Sequence, residues 1–122
     1  MYLIDTSVWV ALLRQNSNLE MRERVANLIE SGTAAWCPIV RAELLYGARR
    51  ANERKRLNEL ASLLVELPMD DKVWGKAYQM IDASRGDGIS VPISDILVFA
   101  CACHHRAKIL SDDKHFEMLA SL

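Results

Sequence analysis

Tyr2-Leu3-Ile4-Asp5-Thr6-Ser7 is the stretch whose reading decides the fold. Tyr2, Leu3 and Ile4 are consecutive apolar residues, the pattern of a strand buried on both faces, as in a parallel sheet. Asp5, Thr6 and Ser7 are all helix N-cap types, and Val8 to Leu13 continue as a short helix. Asp5 therefore stands where a strand ends and a helix begins. Downstream, Leu19 to Ser31 carries Val25, Leu28 and Ile29 on one helical face and stops at Gly32. Ala34 to Cys37 reads as a second strand, and Pro38 opens the helix that holds Glu43.

The same alternation continues to the end of the chain. A helix is expected from Glu53 to Leu64, with Leu57, Leu60, Ala61 and Leu64 at helical spacing. Val65 to Leu67 is a third strand. A helix from Lys72 to Arg85 is expected to turn Val73, Trp74, Ala77, Tyr78 and Ile81 to the core. Pro92 to His105 is a buried helix, Lys108 to Leu110 a fourth strand and Phe116 to Leu122 a last helix, with a fifth short strand near Ile89 to Val91. Strands alternating with helices predict an α/β protein, a three-layer α/β/α sandwich around a parallel sheet of four to five strands. The 122 residues are the size of one domain, and 51% of them are apolar, enough for a core at this length.

Composition excludes some functions. The 15 basic and 16 acidic side chains nearly cancel, so a nucleic-acid partner has to be argued from local patches. Three cysteines, Cys37, Cys101 and Cys103, make no disulfide framework, and no apolar run reaches membrane-spanning length. A reducing cytoplasm is the expected location. Cys101, Cys103, His104 and His105 resemble zinc ligands only superficially. On a helix Cys101 and Cys103 point about 200° apart, so core cysteines with a polar helix end are expected. His115 is expected to be a loop residue.

What remains is a set of carboxylates. In parallel α/β sheets ligands bind beyond the carboxyl ends of the strands. Asp5 follows the first strand, Glu43 lies on the helix after the second, Asp95 on the first turn of the long buried helix, and Asp112 and Asp113 follow the fourth strand. Gathered carboxylates repel one another. No lysine or arginine is adjacent to Asp5 or Asp95, so a divalent cation is the natural counter-charge. All-oxygen ligation suits Mg²⁺ or Mn²⁺.

Four segments of this chain, in order, resemble the PIN-domain family, and within it the VapC-type ribonucleases of toxin–antitoxin pairs. They are Tyr2-Leu3-Ile4-Asp5-Thr6-Ser7, Pro38-Ile39-Val40-Arg41-Ala42-Glu43-Leu44-Leu45-Tyr46-Gly47, Ile93-Ser94-Asp95-Ile96-Leu97-Val98-Phe99-Ala100-Cys101-Ala102 and Ile109-Leu110-Ser111-Asp112-Asp113-Lys114-His115-Phe116. The resemblance covers the whole chain, residues 1–122. It departs where Ser111 replaces the usual Thr or His, and where Val98-Phe99 replaces a small pair. It implies Asp5, Glu43, Asp95 and Asp113 as the metal site, with Asp112 the alternative to Asp113. Asp5 and Asp95 would be primary ligands, and Glu43 would ligate or orient the attacking water. Ser7 and Ser111 would hydrogen-bond to a carboxylate or phosphate. The implied activity is Mg²⁺-dependent hydrolysis of RNA phosphodiesters, by a homodimer held in check by a small antitoxin. The basic stretch Arg49, Arg50, Arg54, Lys55 and Arg56 is the candidate RNA contact, with Arg49, Arg50 and Arg54 foremost.

Two rivals stay open. A haloacid-dehalogenase-like phosphatase also has an Asp after its first strand, but needs a second Asp where this chain has Ser7. A non-catalytic RNA-binding module of the same fold would not need all four acids.

Overall fold

The computed structural model describes residues 1–14 and 18–122. The elements follow as β1 (Tyr2–Ile4), α1 (Thr6–Leu13), α2 (Leu19–Glu30), β2 (Ala34–Trp36), α3 (Pro38–Gly47), α4 (Ala51–Leu63), β3 (Val65–Glu66), α5 (Asp71–Gly86), α6 (Ile93–His104), β4 (Lys108–Leu110) and α7 (His115–Ala120). Four parallel strands lie in the order β3-β2-β1-β4. Neighbouring residues of a strand point to opposite faces, and Ala34, Ala35 and Trp36 are all buried. Helices therefore cover both faces of the sheet, as expected for the α/β/α sandwich.

The chain moves outward from β1 to β2 to β3, then returns to place β4 on the other side of β1. That reversal opens a crevice at the carboxyl ends of β1 and β4, where ligands bind in such sheets. Leu3 pairs with Ile109 and Ile4 with Leu110. The Asp5 amide continues the ladder by donating to the Leu110 carbonyl at 2.9 Å. The residues after β1 and β4 are thus locked side by side. Behind them Trp9, only 2% exposed, donates its indole N–H to the Ile4 carbonyl at 3.0 Å.

No fifth strand forms at residues 89–91; they continue the turn that ends α5. Gly88 has a φ of +68°, its amide donates to Arg85, and the Ile89 amide donates to the Ser84 carbonyl at 2.8 Å. This left-handed cap fills the helix's terminal carbonyls and takes the backbone donor that a strand would use. Gly32 ends α2 the same way, with a φ of +74° and the Thr33 amide on Leu28. The inward face of α5 is also narrower than the sequence suggests. Val73 and Ala77 are buried, Trp74 is half-buried, and Tyr78 is 60% exposed. Trp74 and Tyr78 each follow a buried position by one residue, which rotates them about 100° off the core stripe.

The two kinds of glycine predict opposite substitution effects. Gly32→Ala forces a Cβ into the left-handed region and costs about 1–2 kcal/mol. Gly75→Ala lies mid-helix in α5 with nothing within 4 Å of the added carbon, and gains about 0.5–1 kcal/mol. Urea unfolding of the two variants beside the parent checks both signs.

Candidate metal centre

Asp5 is the N-cap of α1 and is 4% exposed. Its Oδ2 accepts the Ser7 hydroxyl at 2.8 Å, the Ser111 hydroxyl at 3.0 Å and the Ser7 amide at 3.4 Å. Its Oδ1 has no hydrogen-bond partner among the described residues. A nearly buried carboxylate oxygen without a donor is costly, and a cation meets that need. Ser7 and Ser111 both hold the Asp5 carboxylate directly. Ser7 occupies the position where the phosphatase rival needs a carboxyl acid.

Asp95 lies in the first turn of α6, where free backbone amides favour an anion. Its Oδ2 is 2.7 Å from His115 Nδ1, and that nitrogen is also 3.1 Å from Asp113 Oδ1. Asp113 is held from both sides. Its amide donates to Ser111 Oγ at 2.9 Å, and its Oδ1 accepts the His115 amide at 2.9 Å. Asp95, Asp113 and His115 each present one ligand atom within 4.8 Å of the other two. Asp112, the alternative fourth acid, is exposed, and its amide donates to Ser7 Oγ at 3.4 Å.

Glu43 lies in the second turn of α3, and its Oε1 accepts the Thr6 hydroxyl at 2.9 Å. Partial loss of solvent pushes its carboxyl above the ordinary range; the Thr6 hydroxyl opposes this, and the charges of Asp5 and Asp95 add to the rise. Asp95 is raised as well, first by desolvation. The His115 hydrogen bond opposes that rise, and the charges of Asp5 and Asp113 add to it. No Lys or Arg pairs with any of the four acids among the described residues. The donor set suits a hard divalent ion.

His115 and Thr6 are the side chains of this site that sequence reasoning missed. Instead of lying in a loop, His115 is the first residue of α7 and bridges two of the acids. The usable signal was local: a His two residues after Asp113 can donate its amide to that carboxylate, which swings its ring towards the same pocket. Thr6 gave no comparable signal, because its partner is 37 residues away.

A groove of about 750 Å³, bounded by α1, α3 and α4, reaches Glu43 but none of the other three acids. Glu43, Tyr46, Arg49, Arg50 and Arg56 are among its lining residues. Arg54 differs, since its Nε donates to the Ala48 carbonyl at 3.3 Å.

A raised carboxyl in the folded state stabilises the fold below the ordinary carboxylate range and loses that contribution as pH rises through the raised value. In metal-free protein Glu43→Gln should therefore be more stable than the parent at neutral pH. The gain should be at most about 1 kcal/mol, because the side chain is exposed and screened. It should vanish below the ordinary value of 4.5. Urea midpoints in chelator at neutral and acid pH check this, and equal midpoints at neutral pH would contradict it.

Residues 2–122 match the family model described as PIN domain. Ribonuclease VapC11 of Mycobacterium tuberculosis is 32% identical over 127 residues, covering 100% of this chain and 93% of that protein. Among solved structures, VapBC2 from Rickettsia felis bound to a promoter DNA fragment superposes with a TM-score of 0.86 at 19% identity, covering 99% of this chain and 94% of that one. A toxin–antitoxin complex from Klebsiella pneumoniae gives 0.73 at 16% identity, covering 93% and 88%. The fold, the match along nearly the whole chain and the identity to a VapC protein place this chain in the PIN-domain family, among the VapC-type ribonucleases.

Proposed function

We propose that this chain is a Mg²⁺-dependent endoribonuclease, the toxin of a type II toxin–antitoxin pair. The observation that carries this reading is the near-buried Asp5, with one unpartnered oxygen, beside three further carboxylates that no Lys or Arg neutralises. Asp5, Asp95 and Asp113 would hold the ion, Mg²⁺ foremost and Mn²⁺ as the substitute. When bound, such an ion supplies a water of lowered pKa and positive charge for a phosphate oxygen.

The chain's own residues do the rest. Ser7 and Ser111 fix the Asp5 carboxylate by holding Oδ2. His115 fixes Asp95 and Asp113 relative to each other. Thr6 occupies Glu43 Oε1 and leaves Oε2 to orient a water and accept its proton, which a raised pKa favours. The oxygen of that water would bond to phosphorus as the P–O3′ bond breaks in line, with the bound ion offsetting the charge on the 3′-oxygen until it takes a proton from solvent. Arg49, Arg50 and Arg56 lie along the groove beside Glu43 and suit phosphate contacts; Arg54 stands at the edge of that patch.

The toxin–antitoxin complexes among its structural relatives support an antitoxin partner for this chain. An antitoxin segment competing with RNA for the groove fits its mixed wall of Leu13, Tyr46 and arginines. A second copy of the chain is the other expected partner, and the exposed Tyr78 beside Trp74 offers apolar surface for it. Sedimentation of Tyr78→Glu against the parent tests that contact; an unchanged dimer removes it. No helix among the described residues is long and apolar enough to cross a membrane. A cytoplasmic location belongs to the same reading.

Incubation of the purified chain with total RNA tests the activity. Cleavage should require Mg²⁺ or Mn²⁺ and stop with chelator. Asp5→Asn should lower it by at least about two orders of magnitude, with the circular-dichroism spectrum unchanged. Full activity in a folded Asp5→Asn protein would overturn the mechanism. Charge reversal at Arg49 and Arg50 should weaken RNA binding and flatten its salt dependence; an unchanged slope would leave the patch as plain surface.

A further inference from the structure

The opposite end of α6 carries a second convergence of ligand atoms. Asp70, His104 and His105 each bring one such atom within 4.8 Å of the other two. His104 follows Asp95 by nine positions on α6, which separates the two sites by roughly 14 Å along the helix. Neither RNA cleavage nor the acidic pocket uses these side chains.

The local bonding is that of a prepared ligand set. Asp70 is the N-cap of α5. Its Oδ1 accepts the Val73 amide at 3.0 Å, while Oδ2 lies 3.7 Å from His104 Nε2. His105 Nε2 is 2.8 Å from the Pro68 carbonyl oxygen. A carbonyl only accepts, so Nε2 carries a proton, and Nδ1 is the His105 atom that a neutral imidazole would offer to an ion. Metal-ligating histidines commonly give their second N–H to a carbonyl, and ligating carboxylates are themselves hydrogen-bonded. The two imidazoles stand edge to face with centroids 4.9 Å apart.

Distance and charge agree with a cation. Ligands 2.0–2.1 Å from a tetrahedral ion stand about 3.3 Å from one another, so the 3.7 Å between His104 and Asp70 needs only a small rotation. The C-terminus of α6 presents its negative end here. The side chains of His104 and Asp70 are 24% and 45% exposed, so an ion can enter directly from solvent. Cys101 stays out of the set, because its thiol is buried and directed at the Leu67 carbonyl.

We propose that Asp70, His104 and His105 form a second metal site, selective for a borderline divalent ion such as Zn²⁺, that ties the start of α5 to the end of α6. Two imidazoles and one carboxylate favour zinc over Mg²⁺, whereas carboxylates outnumber the one imidazole, His115, at the first site. With three protein ligands the ion keeps a position for water.

Zinc binding is best measured in the Asp5→Asn background, which weakens the acidic site, starting from chelator-treated protein. Imidazole ¹⁵N spectra during ZnCl₂ titration should show His104 and His105 moving together and saturating near one equivalent, ahead of His115. Calorimetry should show His104→Gln losing at least tenfold in zinc affinity. In the unaltered chain His104→Gln should leave Mg²⁺-dependent RNA cleavage as it was. ZnCl₂ should raise the Tm of Asp5→Asn and not that of Asp5→Asn/His104→Gln. Unmoved His104 and His105 signals, or equal zinc affinity with and without His104, would overturn the proposal.

Discussion

Four carboxylates lie close enough to repel one another, no lysine or arginine among the described residues pairs with them, and the surrounding structure manages that repulsion. Each acid is held by a neutral donor or by histidine. Asp5 takes the hydroxyls of Ser7 and Ser111, Glu43 that of Thr6, and Asp95 and Asp113 share His115 Nδ1. Hydroxyl donors orient a carboxylate without cancelling its charge. The negative potential therefore survives to attract a cation. Guanidinium partners at the same places would have formed ion pairs and closed the site.

The sheet makes that crowding possible. β1 and β4 are adjacent and parallel, so the residues after them emerge side by side, and the Asp5 amide bound to Leu110 fixes their register. Helix starts supply the rest of the framework. Asp5 caps α1 and Asp95 sits in the first turn of α6, where backbone amides and the helix dipole lower the cost of a buried negative charge. The groove beside Glu43 follows from α3 running directly from β2 with Glu43 on its second turn, with Arg49 and Arg50 before α4 and Arg56 on it lining the same opening.

Much of this was legible in the sequence, for physical reasons. Tyr2-Leu3-Ile4 and Lys108-Ile109-Leu110 are strands flanked by strong turn and cap residues, and both spans agree with the structure. The acids at strand ends and helix starts could be collected because the strand order of a parallel sheet brings those ends together. The rest depended on contacts between distant residues. Nothing near Thr6 signals that Glu43 will lie opposite it, and nothing near Asp95 signals His115, twenty residues on. The supposed strand at Ile89 lost its backbone donor to a helix cap. Tyr78 looked like core because its neighbours Val73 and Ala77 set a helical stripe from which it is offset by one position.

The central claim is that Asp5, Glu43, Asp95 and Asp113 are gathered around a divalent cation. Anomalous diffraction from crystals soaked in MnCl₂ tests it most directly. The account predicts a manganese peak in the crevice beyond β1 and β4, at coordination distance, about 2.0–2.3 Å, from carboxylate oxygens of both Asp5 and Asp95. A crevice without manganese in crystals that bind the ion elsewhere, or a peak touching neither Asp5 nor Asp95, would contradict it.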